Sequence, residues 1–180
     1  MKLKAKNVKW IVIHCSDTPD STKSRWYNMG FDVIDEWHKA RFKPICNGDK
    51  FIYCGYHFII KKDGTIEEGR PLEHMGQQAA GFNWRSIGIC LIGRGDGKEI
   101  NGKFIDGPNG IDDIATAAQK ATLSRLIKDI QTRYSIPSTN IIGHHDTYPL
   151  RKRTMNKPCP GFSVSFWLTG KYKPWEEAHS

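Results

Sequence analysis

Short runs of β-branched and aliphatic residues alternate with polar, glycine-rich stretches along this chain, and the runs predict its elements. Val8 to Cys15, with Trp10-Ile11-Val12-Ile13 at its centre, is apolar on both faces and predicts a buried strand carrying His14 near its C-terminal end. Phe31, Ile34, Trp37, His38 and Arg41 follow helical spacing and predict a helix over about 32–42, with Trp37 in the core and His38 on the helix surface. Residues 43–50 read as a loop. Phe51 to Lys61 predicts one strand, Lys62-Asp63-Gly64 a hairpin turn, and residues 65–68 an antiparallel return. Alternation along that strand puts Tyr56, Phe58 and Ile60 on one face and His57, Ile59 and Lys61 on the other.

Gly69 to Asn83 is polar and irregular, and Ser86 to Ile92 is a second buried strand ended by Gly93. Arg94 to Asp112 predicts a long exposed loop. Leu123, Ile127 and Ile130, with Leu126 and Tyr134 alongside, form the stripe of a helix over about 114–134. Asn140-Ile141-Ile142 predicts a short strand leading into Gly143-His144. Val164 to Trp175 predicts a short helix or turn that packs Phe166 and Trp167 back onto the domain. Strands and helices alternate around one hairpin, so the expected fold is α/β: a central mixed sheet with helices on both faces.

Composition narrows this picture. With 180 residues, 38% hydrophobic and 26% charged, the chain fits a single domain spanning 1–180, its core over about 8–168. The net charge of +8 favours an anionic partner: nucleic acid, a membrane surface or an acidic cell-wall polymer. No apolar run is long enough to span a bilayer. The apolar run after the basic N-terminus is short and interrupted by Lys9, so no signal peptide is expected and synthesis is cytoplasmic. The five cysteines are expected to be reduced thiols; Cys46 and Cys54 are the pair to watch in an oxidising compartment. Cys90, inside a buried strand, reads as an inert packed thiol.

Two stretches near the C-terminus add chemistry: Gly143-His144-His145-Asp146, and Lys157-Pro158-Cys159-Pro160-Gly161-Phe162. With His14, one histidine of the adjacent pair and Cys159 make a three-donor set that suits zinc and leaves a fourth position open, the pattern of a catalytic site. Neighbouring residues on extended backbone point opposite ways, so only one of His144 and His145 joins the set, and spacing does not say which. The other is left to pack or to orient Asp146. Lys157 lies two residues before Cys159. It reads either as an ammonium near a developing oxyanion or as a solvated loop lysine. Tyr56 reads either as a site hydroxyl or as a half-buried strand aromatic. The basic loop Arg151-Lys152-Arg153 is equally consistent with an anionic substrate and with simple solvation.

Val12-Ile13-His14-Cys15-Ser16, Gly55-Tyr56-His57-Phe58-Ile59-Ile60, Ser86-Ile87-Gly88-Ile89-Cys90-Leu91 and Gly143-His144-His145-Asp146 occur in order, and together they resemble the zinc N-acetylmuramoyl-L-alanine amidases. That family includes the amidase-type phage lysozymes and the peptidoglycan-recognition proteins. Glu36-Trp37-His38-Lys39 and Lys157-Pro158-Cys159-Pro160 bring the resemblance nearest to the phage lysozymes. The resemblance implies hydrolysis of the amide between N-acetylmuramic acid and L-alanine, with zinc on His14, His144 and Cys159 and catalytic roles for Tyr56 and Lys157. It implies a phage endolysin, made in the host cytoplasm and acting on the cell wall after release. A cytosolic muropeptide-recycling amidase and a non-catalytic peptidoglycan-binding module are the alternatives. Peptidoglycan is the expected partner, and a monomer is expected. Nucleic-acid binding would rest on charge alone and is not expected. Some phage lysozymes that this chain resembles also bind the phage RNA polymerase, which leaves that partner open. Three departures stand out. Gln77-Gln78-Ala79 occupies the place of a family histidine beside the site, so Gln78, together with Asn83, is expected to contact substrate. The segments 43–53 and 147–156 are longer than in the phage lysozymes.

Overall fold

Strand β1 (Trp10–Cys15) lies inside a five-stranded sheet, and its burial on both faces accounts for its unbroken apolar run. The computed structural model describes residues 3, 5–19, 21–93, 99–100, 103–104, 111, 114–148 and 159–170. In chain order, β1 is followed by α1 (Phe31–Lys39), β2 (Ile45–Asn47), β3 (Lys50–Ile52), β4 (Phe58–Ile60), β5 (Ile66–Glu68) and β6 (Ser86–Leu91). Then come β7 (Glu99–Ile100), β8 (Lys103–Phe104), α2 (Ala117–Tyr134), β9 (Ile141–Gly143) and α3 (Val164–Thr169). The main sheet runs β5-β4-β6-β1-β9. β4, β6, β1 and β9 pair in parallel and β5 closes the edge antiparallel to β4, so the sheet is mixed, as expected.

Each face is covered by a helix. Ile11, Ile13, Ile60, Ile87, Ile89 and Leu91 pack with Leu123, Leu126, Ile127 and Ile130 of α2. On the other face Ile59, Cys90 and Ile92 pack with Ile34 of α1 and with Met29 and Ile52. α2 begins three residues later than its stripe suggested, because Thr116 caps it: its hydroxyl accepts the Gln119 N–H at 3.1 Å, and Gln119 Oε1 accepts the Thr116 N–H at 3.1 Å. The same Gln119, 0% exposed, donates to the Ile60 and Ile92 carbonyls at 3.0 and 2.9 Å, lashing the helix start to the ends of β4 and β6.

The region 43–61 departs from its pattern. It is a β2–β3 hairpin turning at Gly48 (φ +61°), then an irregular stretch, and only then the three-residue β4. Two polar side chains, half-buried Asp35 and buried Arg70, hold the irregular stretch. Asp35 Oδ1 accepts the N–H groups of Tyr53 and Cys54 at 2.6 and 2.7 Å. Arg70, 2% exposed, donates from Nε to the Cys54 carbonyl at 2.8 Å. As a result Tyr56 does not share a face with Phe58 and Ile60; it packs with the α1-side cluster while they pack toward α2. Trp37 is likewise not core: it is 39% exposed and rests edge-on against Trp26, their centroids 5.0 Å apart. Cys46 is exposed, Cys54 is buried, and all five cysteines are free thiols. Within 94–112 the short β7–β8 pair interrupts the expected loop. Among the described residues, no helix is long and apolar enough to cross a membrane.

His57 extends the ladder just before β4 begins. Its backbone N–H donates to the Gly88 carbonyl at 2.9 Å, its Nδ1 accepts the Gly88 N–H at 3.0 Å, and its Nε2 donates to the His74 carbonyl at 3.0 Å. Burial pulls its pKa down from the usual 6.5 to about 4. The unfolded chain therefore takes up this proton first on acidification. The contribution is complete above the unfolded value and is lost as pH falls through ~6.5 to about 4, on the order of 3 kcal/mol. Urea unfolding of metal-free protein at pH 7 and pH 4.5 should show a smaller acid loss in His57→Gln than in the wild type. Equal losses would remove His57 from the pH dependence.

Candidate metal centre

The β1–β9 ladder aligns Ile13 with Gly143, and the next N–H, that of His144, donates to the Ile13 carbonyl at 3.0 Å. His14 and His144 thus leave neighbouring strand ends side by side, with ring centroids 4.5 Å apart. His144 itself has helical backbone (φ −58°, ψ −39°), because the chain turns there into the short 145–147 helix. Cys159 reaches the pair from the loop before α3, its Sγ 3.8 Å from His14 Nδ1. One donor atom from each of His14, His144 and Cys159 lies within 4.8 Å of the others.

This set fits zinc. With Zn–N of about 2.0–2.1 Å and Zn–S of about 2.3 Å, tetrahedral ligand atoms sit roughly 3.3–3.7 Å apart. The sulfur–nitrogen separation found here is close to that edge. The chemistry of the donors agrees. His14 is 1% exposed, and burial, then the nearby His144, holds its pKa well below 6.5, so the ring is neutral and has a lone pair to give. A hydrogen bond with Cys15 and then burial keep the Cys159 thiol well above its usual range. A cation held there would take the place of that proton on the sulfur.

The second histidine of the pair has a different task. His145 is buried, and both its backbone N–H (2.9 Å) and its Nδ1 (3.0 Å) donate to the Cys159 carbonyl. Its Nε2 meets Asp146 Oδ1 at 2.8 Å, and Asp146 Oδ2 accepts the Gly143 N–H at 2.8 Å. His145 and Asp146 therefore tie the cysteine loop to the end of β9. A side chain at Gly143 would break this approach, since its Cβ would stand 2.8 Å from Pro160 Cδ and 2.9 Å from His145 Cε1.

Tyr56 faces the cluster, its ring centroid 4.9 Å from that of His14. Burial raises its pKa well above 10, so its hydroxyl keeps the proton. Behind it stands His38, 5.4 Å away between centroids. His38 is half-buried and not free on the helix surface; its Nδ1 accepts the Gly55 N–H at 3.0 Å, and burial lowers its pKa to about 4. Gln78 accepts a hydrogen bond from His14 Nε2 at its Oε1 and donates from Nε2 to Ser86 Oγ at 2.8 Å, so both ends of its amide have protein partners. Asn83 Oδ1 accepts the N–H groups of Gln78 and Ala79, each at 2.9 Å, and so shapes the loop that carries Gln78. Lys157 and the basic 151–153 segment lie outside the described residues. Asp35, His38, Arg70, Ser86 and His145 are site-building residues that spacing did not single out. His145 was marked by its adjacency to His144, and His38 and Ser86 stood in motifs that carry the family resemblance, whereas Asp35 and Arg70 gave no signal.

A family model described as N-acetylmuramoyl-L-alanine amidase matches residues 4–162. The chain belongs to this amidase family. It is 36% identical over 157 residues to an endolysin of Enterobacteria phage T3, covering 87% of this chain and 83% of the relative. It is 35% identical over 157 residues to an endolysin of Escherichia phage T7, with the same coverage. Among solved structures, the N-acetylmuramoyl-L-alanine amidase LysC from Clostridium intestinale URNW superimposes with a TM-score of 0.60 at 27% identity, over 94% of this chain and 93% of that one. Apis mellifera PGRP-SA shares the fold, with a TM-score of 0.59 at 21% identity over 93% of this chain and 84% of that one. The amidase fold expected from the sequence, one mixed sheet with helices on both faces, is the fold found.

Proposed function

We propose that this amidase-family protein is a zinc-dependent enzyme that hydrolyses the amide between N-acetylmuramic acid and L-alanine in peptidoglycan, and that it serves as a phage endolysin. The observation that supports this most is the convergence of His14, His144 and Cys159 beside the Tyr56 ring, in a chain matched by the amidase family model over 4–162. His14, His144 and Cys159 would hold the ion. Bound zinc supplies Lewis-acid polarisation of a carbonyl and a more acidic water. The protein supplies the rest. The Tyr56 hydroxyl, kept protonated by burial, donates to the carbonyl oxygen as negative charge gathers there. Lys157 adds a cation at the same oxygen. His145, through the Cys159 carbonyl, keeps the thiolate arm in register. Water oxygen joins the carbonyl carbon, the C–N bond breaks, and the released amine of L-alanine takes the proton. The net charge of +8 suits an anionic wall polymer.

Digestion of purified peptidoglycan with and without a chelator, followed by mass analysis, tests this. Stem peptides beginning with L-alanine, lost on chelation and restored by zinc, are the expected products. Binding to peptidoglycan without release of stems would favour the recognition-module reading. Release only from soluble muropeptides would favour a recycling amidase.

A further inference from the structure

Three hydrogen bonds run from the main chain to His14, and their polarity can be read from one end to the other. Ser86, 0% exposed, has a single hydroxyl proton, and that proton goes to the Phe82 carbonyl at 2.8 Å. Its oxygen is then an acceptor toward Gln78, and Gln78 Nε2 donates to it at 2.8 Å. An amide whose NH2 end is fixed on Ser86 presents its carbonyl oxygen at the other end, where it meets His14 Nε2. A carbonyl oxygen only accepts, so His14 Nε2 carries the hydrogen. A neutral imidazole has one such hydrogen, which leaves the lone pair on Nδ1, the nitrogen that faces Cys159 Sγ at 3.8 Å. The reverse amide orientation would call for the lone pair on Nε2 and put a hydrogen on Nδ1, where a metal donor is needed.

The scaffold around Gln78 is shaped to keep this orientation. Asn83 Oδ1 holds the N–H groups of Gln78 and Ala79. The Gln78 side chain lies on β6 at Gly88, where a Cβ would come 2.7 Å from its Cγ and 2.8 Å from its Cδ. Any larger residue at 88 would lift the amide off both partners.

We infer that Gln78 is a positioning residue of the metal centre: through Ser86 and the Phe82 carbonyl it fixes the tautomer and ring direction of His14, making Nδ1 the donor atom. This rests on the reading of His14 as a metal ligand. It is distinct from the substrate contact expected of Gln78.

Two readouts test it. The first is zinc affinity, measured by competition with a chromophoric chelator. Gln78→Leu should bind roughly 10- to 100-fold more weakly than the wild type, the loss typical when the partner behind a ligating histidine is removed. Gln78→Glu keeps an acceptor toward Nε2, and Ser86 can turn its hydroxyl proton from the Phe82 carbonyl to the new carboxylate, so this variant should stay within a few-fold of the wild type. The second readout is the histidine side-chain 15N–1H spectrum of metal-free protein. His14 should be purely the Nε2–H tautomer in the wild type and in Gln78→Glu, and a mixture in Gln78→Leu. Unchanged zinc affinity and an unchanged tautomer in Gln78→Leu would overturn the inference, as would an Nδ1–H tautomer in the wild type. The wild-type spectrum also serves if Gln78→Leu does not fold. Failure of the wild type to bind zinc would instead reject the metal reading, while the metal-free spectrum still reports on Gln78.

Discussion

Cys159→Ser should lose its bound zinc and its lytic activity together. A serine hydroxyl does not ionise near neutral pH, so the donor set falls to two imidazoles. The affinity loss should exceed the ~10- to 100-fold seen for removing a partner behind a ligand. The substitution removes one sulfur from a loop that is held by other bonds: the Cys159 carbonyl keeps both of its hydrogen bonds from His145. The thermal midpoint of metal-free protein should therefore barely move. The checks are metal content by elemental analysis after dialysis against a weak chelator, turbidity loss of a peptidoglycan suspension, and thermal unfolding. One zinc per chain with wild-type lysis would show that Cys159 is no ligand.

Tyr56→Phe should separate binding from chemistry. The ring that packs against His14 and His38 stays, and only the hydroxyl goes. Removing one donor to a developing oxyanion costs roughly 10²- to 10³-fold in turnover. We expect a loss of that size in kcat, with zinc content and KM little changed. Because burial holds the Tyr56 proton well above pH 10, the wild-type donor should also remain in place across the alkaline limb of the pH–rate profile. Turnover in Tyr56→Phe within a few-fold of the wild type would leave the tyrosine as packing alone.

What the sequence made legible follows burial. β1 and β6 are covered on both faces, so their apolar runs are unbroken, and α2 turns one stripe to the sheet; all three stood out by periodicity. β4 did not. It has three residues, and its entry is set by Asp35, Arg70 and His57, side chains whose partners lie far away in sequence. Alternation extended backward from Phe58 therefore put Tyr56 on the wrong face. Trp37 misled for a related reason: helical spacing says which residues share a stripe, but Trp26 and not the core is what that position meets. The donor set shows the same limit. His14 and Cys159 were legible as candidates, whereas the choice between His144 and His145 depended on the turn after Gly143, and on a carbonyl 14 residues further on.

The place of β1 in the sheet bears on when the centre can form. Its two neighbours are β6 and β9, so the strand that carries His14 is flanked only by segments made much later in the chain. Pairings this distant in sequence close late, after the local hairpin and α2 can already exist. Zipping β9 onto β1 brings His144 beside His14, and the His145 bonds to the Cys159 carbonyl then bring in the third donor. On the zinc reading proposed above, the complete donor set would mark completed folding, and a partly synthesised chain would lack it.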